Sequence, residues 1–286
     1  MRVAVASGKG GTGKTFVTVN LARSYDEPVL VMDCDVEEPN SAIFLKGEQV
    51  SSRRSHVLIP SVNEQLCDGC RVCSTVCEFN AIAVIAGKPL IFEDLCHACG
   101  GCATFCPQDA LHEVEHEIGT ITEQQDGSIR LISGQLDVGK ALAVPVIRDV
   151  KRSAERARES MMLIDSPPGT SCPMVWTVSD SDLVILVTEP TAFGLHDLQL
   201  AVETVREIGV PFAVVLNKDG VGDSRVERYC EQNGIEILAR IPHDRVIAEL
   251  YAQGETIVHD ARYAQVFSQL WQKIVAFTAN EEAHRA

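Results

Sequence analysis

Eight of the eleven cysteines in this 286-residue chain fall into two tetrads of identical spacing. Cys67, Cys70, Cys73 and Cys77 map one for one, 29 residues on, onto Cys96, Cys99, Cys102 and Cys106. The offset extends past the cysteines, carrying Leu66 onto Leu95, Ala81 onto Ala110 and Ile82 onto Leu111. This internal repeat lies between a glycine-rich loop at residues 8–15 and an aspartate, Asp165, that ends an apolar run. Any fold for the chain must therefore gather eight thiols in the middle of a larger α/β pattern.

Cysteines three residues apart in a tight loop present three thiolates to one cluster and leave a fourth to be supplied from elsewhere. Zinc takes four ligands, as a rule in two separated pairs, and has no use for a third cysteine three residues on. Disulfides need an oxidising compartment, which nothing in the sequence suggests. The run C-x2-C-x2-C-x3-C resembles that of bacterial two-cluster ferredoxins, in which the last cysteine of each tetrad ligates the other cluster. That resemblance implies two 4Fe–4S clusters, one held by Cys67, Cys70, Cys73 and Cys106 and the other by Cys96, Cys99, Cys102 and Cys77. A 3Fe–4S centre or partial loss of iron in air stays open. Pro107 stands where such ferredoxins carry a proline, and Glu78 replaces it in the first tetrad.

Between the tetrads, residues 82–91 read as a hairpin turning at Gly87-Lys88. A module of this size buries little apolar surface and depends on its clusters for stability. His97, beside Cys96, is positioned either to tune a cluster by hydrogen bonding or simply to serve as a loop residue.

The stretch Gly8-Lys9-Gly10-Gly11-Thr12-Gly13-Lys14-Thr15 fits the phosphate-loop pattern G-x-x-x-x-G-K-[ST]. It follows an apolar strand (Val3–Ala6) and opens a helical stretch (Phe16–Arg23), the context the pattern needs. Glycines there let backbone N–H groups close around phosphates at a helix N-terminus. Lys14 is expected to reach the β- and γ-phosphates of ATP, and Thr15 to ligate Mg²⁺.

Lys9 makes the loop K-G-G-T-G-K-T, which resembles the deviant Walker A motif of the MinD/ParA/Mrp/nitrogenase iron protein class of P-loop ATPases. The resemblance implies that Lys9 reaches the phosphates of a partner in an ATP-dependent homodimer. It also implies a water-orienting role for Asp35, which ends Val29–Asp35, with Asp33 near the metal. Asp165, in Leu163–Gly169, would hold Mg²⁺, Asn217 would recognise adenine, and Pro242 lies in the loop packed on the base. Any one of these carboxylates is equally a strand-end cap; their order along the chain matches the family. The implied fold is an α/β P-loop domain, residues 1–60 and 118–286, with a mostly parallel sheet and helices on both faces. A small α+β ferredoxin-like insert, residues 61–117, interrupts it just after the first switch segment. Strands are expected at 2–6, 29–33, 161–165, 183–188, 212–217 and 236–240, with a short hairpin at Asp126-Gly127 and a helix around 148–159.

With 25 basic and 40 acidic residues the net charge is −15, which disfavours nucleic acid and anionic membrane as partners. The start Met-Arg-Val-Ala-Val-Ala reads as a strand and not a signal peptide, and no apolar run reaches spanning length, so no stable membrane anchor and a cytoplasmic location are expected. Tyr263–Phe277 carries Phe267, Leu270, Trp271, Ile274 and Val275 at the spacing of a core helix. Cys34 is expected at a buried strand end and Cys230 on a helix. Cys172 follows Asp165 at the offset of the cluster cysteine in the nitrogenase iron protein; a shared third metal site and, preferably, a buried or inert thiol are the two readings. Taken together, the resemblances imply an ATP-hydrolysing iron–sulfur protein binding ATP/ADP, Mg²⁺ and two 4Fe–4S clusters. Electron transfer to an unidentified redox partner leads. Cluster delivery to an apo-metalloprotein, as in the Mrp branch, and a redox-sensing positioning ATPase are the alternatives.

Overall fold

A computed structural model describes residues 1–155 and 157–285. Its strands are β1 (Arg2–Ala6), β2 (Val29–Asp33), β3 (Glu48–Val62), β4 (Ile82–Ile85), β5 (Lys88–Ile91), β6 (Leu111–Asp126), β7 (Ile129–Leu136), β8 (Met161–Asp165), β9 (Leu183–Thr188), β10 (Phe212–Asp219) and β11 (Ile237–Pro242). The helices are α1 (Lys14–Arg23), α2 (Ser41–Phe44), α3 (Val72–Thr75), α4 (Gly101–Thr104), α5 (Ala143–Ser153), α6 (Cys172–Val178), α7 (Ala192–Ile208), α8 (Arg225–Gln232), α9 (Arg245–Ala252) and α10 (Ala261–Arg285). The chain divides into two compact units, Met1–Ser52 with Ile121–Gln135 and Ile147–Ala286, and Arg53–Thr120 with Leu136–Val146. The stretch 61–117 falls inside the second.

The large sheet has the order β11-β10-β9-β1-β8-β2-β7-β6-β3. From β11 to β7 every neighbouring pair is parallel. Strands covered on both faces should read as continuous apolar runs, and β1, β2, β8 and β9 do. On one face α1 and α10 build the main core, in which Phe16, Leu21, Leu163, Ile185 and Phe267 are buried. Each such side chain contributes roughly 1.5–3 kcal/mol by leaving water. Phe267, Leu270, Trp271 and Ile274 take the expected core positions of α10, and Trp271 Nε1 donates to the Leu21 carbonyl at 3.0 Å. Val275 departs from expectation: it is 55% exposed, one position round the helix from the buried stripe.

Three further departures have physical causes. The helix expected around 148–159 runs instead from Ala143 to Ser153, because Pro145 sits in its first turn, where a missing N–H costs nothing. Its buried face is Val146, Ile147, Val150 and Ala154. The expected short hairpin is a long one: β6 has 16 residues and β7 has 8, joined through Gly127 at φ 60°. The 15-residue β3 is absent from the expected elements. It lies at the end of the sheet order, and its middle carries Arg53, Arg54 and His56, which leaves only the short apolar run at residues 57–59 to mark it.

In the second unit β4 and β5 form an antiparallel pair whose turn is Ala86-Gly87, one residue earlier than expected. Both turn residues have positive φ, 52° and 80°, as a tight hairpin requires. The 29-residue repeat is also a structural repeat. Positive φ recurs at Gly69 and Ala98, at Arg71 and Gly100, and at Asn80 and Asp109. The halves exchange backbone bonds, Asn63 N–H to the Ala110 carbonyl at 2.7 Å and Phe92 N–H to the Ala81 carbonyl at 2.8 Å. Their core is small: Cys73, Ile82, Cys102 and Leu111.

Candidate functional site

At the C-terminal ends of β1, β8 and β2, where open parallel sheets bind ligands, the first unit holds a cleft of about 460 Å³. That volume suits a nucleotide. Parallel register sets Asp165 beside Val5 on one side and beside Asp33 on the other. The loop from β1 to α1 curves over these ends, with Gly11 at φ 77° and Gly13 at φ 99°, a region open to glycine at little cost. A Cβ on Gly13 would lie 2.3 Å from Asn217 Nδ2, and one on Gly8 only 2.0 Å from the Asp197 carbonyl oxygen. The loop is therefore glycine-rich for packing as well as for conformation.

Gly10, Gly11, Gly13, Lys14, Thr15, Asp35, Asn217 and Pro242 all line this cleft. Asn217 Nδ2 donates to the Thr12 carbonyl at 2.7 Å, tying β10 to the loop. Thr15 Oγ1 donates to Asp165 Oδ2 at 2.5 Å. The other Asp165 oxygen is buried with no hydrogen-bond partner. An orphaned buried carboxylate oxygen beside a threonine hydroxyl is a donor set that fits Mg²⁺. Burial, and then the charge of Asp33, pushes the Asp165 carboxyl well above the usual range. Burial raises Asp33 as well. Asp33 does not line the cleft: its oxygens accept the N–H groups of Ser41 at 2.9 Å and Asp35 at 3.2 Å. Burial lifts Asp35 to about 6 against the opposing pull of Lys14.

Lys9 Nζ lies 3.9 Å from Glu189 Oε2 and 4.0 Å from Asp197 Oδ2. Glu189 also binds Lys218, at 2.5 Å. Several lining residues were not legible in the sequence, among them Phe16 and Tyr251. Asp244 caps α9 by accepting the Val246 N–H at 2.8 Å, and α9 then sets Ile247, Ala248 and Tyr251 at helical spacing against the cleft. The Tyr251 ring packs on Phe16 at 6.0 Å and on Phe44 at 4.8 Å. A Pro-His-Asp loop followed by i, i+1, i+4 apolar positions is the signal that would have marked this wall.

In the second unit the eight tetrad cysteines line two cavities. Cys67, Cys70, Cys73 and Cys106 share one; Cys77, Cys96, Cys99 and Cys102 share the other. All eight are free thiols. Backbone N–H groups point at sulfur in matching places, Ala81 to Cys77 and Ala110 to Cys106, both at 3.3 Å, and Ala98 to Cys96 at 3.4 Å. Among the described residues, no group of three or more His, Cys, Asp or Glu is arranged to hold a single metal ion. A cluster meets its four thiolates at four separate irons, so its ligands surround a space and do not converge on a point. Four thiols per cavity, with N–H groups directed at sulfur, form a donor set that fits an iron–sulfur cluster. His97 stacks on Phe79, ring centroids 3.8 Å apart and 6° from parallel, at the wall of the second cavity. Of the remaining cysteines, Cys34 is buried and Cys230 lies on α8, as expected, and Cys230 is buried too. Cys172 is not: as the first residue of α6 its side chain is exposed, because the loop leaving β8 carries the helix start out of the core. No helix among the described residues is long and apolar enough to cross a membrane.

Comparison with known proteins places this geometry. A protein of Methanocaldococcus jannaschii, "Uncharacterized protein MJ0578", is 31% identical over 97% of both chains. The "Iron-sulfur cluster carrier protein" of Pyrococcus abyssi is 26% identical over 96% of this chain and 85% of its own. The fold matches that of the septum site-determining protein MinD of Pyrococcus horikoshii complexed with Mg-ADP, with a TM-score of 0.58 and 22% identity over 96% of this chain and 95% of that one. The family described as the CobQ/CobB/MinD/ParA nucleotide binding domain matches residues 3–257, and this chain belongs to it.

Proposed function

We propose that the protein hydrolyses ATP as a nucleotide-dependent homodimer and couples that hydrolysis to electron transfer through two 4Fe–4S clusters held in residues 61–117. The observation that carries this reading is the lining of the two cysteine cavities. Each takes three cysteines from one tetrad and the fourth from the other. Such interleaved ligands suit clusters that stay within one chain more than clusters handed on. Cys67, Cys70, Cys73 and Cys106 would hold one, and Cys96, Cys99, Cys102 and Cys77 the other. The clusters would supply one-electron chemistry.

At the nucleotide site, residues Gly8 to Thr15 cradle the phosphates with backbone N–H groups, and Lys14 counters charge on the β- and γ-oxygens. Thr15 and Asp165 would hold Mg²⁺, with Asp33 bracing the strand end beside them; the ion would supply further charge neutralisation. Asp35 orients the attacking water, at a carboxyl already poised near neutrality. Asn217 and Pro242 receive the base. Lys9 leaves its Glu189 and Asp197 partners to meet the second protomer's phosphates. Cys172 lies outside both cluster sets in this reading.

A second reading, delivery of clusters to an apo-protein, is favoured by the curated relatives, several of which are named iron–sulfur cluster carrier proteins. One anaerobic experiment separates the two. Under electron transfer, the reduced protein shows cluster EPR signals that shift on adding Mg-ATP, and iron stays bound when an apo-ferredoxin is added. Rapid loss of iron to the apo-protein, with spectra indifferent to nucleotide, selects the carrier reading and ends the first.

A further inference from the structure

A second cleft in the ATPase unit, about 420 Å³ in volume, opens between α5 and α6 on the sheet face opposite the α1–α10 core. No nucleotide-loop residue lines it. Its floor is apolar, with Met32 and Ile164 from β2 and β8 buried and Met162 alongside. Trp176 of α6 forms a wall and is 44% exposed, an unusual degree of exposure for an indole.

The rim is cationic, in a chain whose net charge is −15. Arg2, Arg148, Lys151 and Arg152 line the cleft against only Asp180 and Glu155. Asp180 is already committed: it accepts from Arg2 at 3.0 Å and pairs with Lys151. Lys151 also donates to the carbonyls of Trp176 at 2.9 Å and Thr177 at 3.1 Å, holding the last turn of α6 in place. These two cations are structural. Arg148 and Arg152 are available. The Arg148 guanidinium stacks over the Trp176 ring at 4.1 Å and has no carboxylate partner among the described residues. Among the described residues Arg152 pairs only with Asp149, at 3.8 Å, and its side chain is 70% exposed. A guanidinium stacked on an indole keeps its in-plane N–H fork free, and that fork matches a carboxylate or phosphate.

We propose that this cleft binds a small amphiphilic anion, a carboxylate or phosphate ester on a flat apolar body. The head group is taken by Arg148 and Arg152. The body lies against Trp176 and the Met32, Met162 and Ile164 floor. The local excess of positive charge attracts such a molecule to a protein that otherwise repels anions.

The test is isothermal titration calorimetry on the full chain with the nucleotide cleft saturated by Mg-ADP. The probes are 2-naphthoate, 2-naphthyl phosphate and the neutral 2-naphthalenemethanol. Both anions are expected to bind one per protomer, about tenfold or more tighter than the alcohol, the effect of one charge-assisted hydrogen bond. R148Q and Trp176→Ala should each weaken both anions by about tenfold, while Mg-ADP affinity, measured on the same variants, stays unchanged and reports an intact fold. Whichever anion binds tighter assigns the head group. Absence of binding, equal affinity for the alcohol, or anion binding untouched in R148Q overturns the proposal.

Discussion

Asp165→Asn isolates the electrostatics of the nucleotide site. Asp165 and Asp33 are both fully buried and sit opposite each other on adjacent parallel strands, about 4.8 Å apart at their Cα atoms. Two charges at that spacing repel by about 3 kcal/mol at an effective dielectric near 20. The folded protein avoids this by keeping a proton that the unfolded chain releases at its ordinary value of 3.8. The sign follows: stability present at low pH is lost as pH rises above about 4, and the loss continues until the folded groups ionise. The share due to Asp35 is complete by about pH 6; that of Asp165 follows its own raised carboxyl. One withheld proton costs about 1.4 kcal/mol per pH unit, so wherever the pH lies between the unfolded value and the raised folded one, wild type forfeits stability that the asparagine variant keeps. The variant also retains an acceptor for Thr15 Oγ1. For a domain of this size each kcal/mol is roughly 2–4 °C in melting temperature. Thermal unfolding followed by circular dichroism, in EDTA and without nucleotide, is the assay. The variant should melt higher, with a gap that widens as pH rises above about 4, while Mg-dependent ATP hydrolysis collapses. A gap that is flat or narrows with pH would refute the assigned repulsion.

Other substitutions probe the remaining parts. Cys77→Ser should remove the cluster bound by Cys96, Cys99 and Cys102 and spare its neighbour, halving the iron content; anaerobic iron analysis beside Cys106→Ser, which should spare the opposite cluster, checks the interleaving. Gly13→Ala places a Cβ 2.3 Å from Asn217 Nδ2 at φ 99°, so equilibrium binding of Mg-ADP should fall at least about tenfold as the loop shifts. Asn20 is fully buried, donating to the Phe16 carbonyl at 2.8 Å and accepting the Ile257 N–H at 2.7 Å. Asn20→Ala orphans the Ile257 N–H, while the Phe16 carbonyl keeps its helical partner, and should cost about 1–3 kcal/mol in urea unfolding.

Several features were legible because their signals are local. The phosphate loop is a contiguous string, its glycines and lysine carrying their own conformational and electrical reasons. The buried strands β1, β2, β8 and β9 announce themselves as unbroken apolar runs between turn residues. The cysteine repeat is visible in spacing alone, and the backbone follows it down to paired positive-φ residues such as Arg71 and Gly100. Less legible were elements whose stability comes from distant partners. The charged β3 is a strand because of its place at the end of the sheet, and α5 starts early because Pro145 is harmless in a first turn.

The sequence by itself determined that an ATPase scaffold and a set of eight thiols coexist, and roughly where each begins. Tertiary structure decided which side chains meet. Tyr251 and Phe16 face one cleft although 235 positions separate them, and each cysteine cavity draws on both tetrads. It also decided protonation, since Asp33, Asp35 and Asp165 are ordinary carboxylates in sequence and become perturbed acids only when parallel strands bring their ends together out of water. Spacing along a chain encodes local geometry; burial and charge proximity are properties of the packed sheet, and no window of residues contains them.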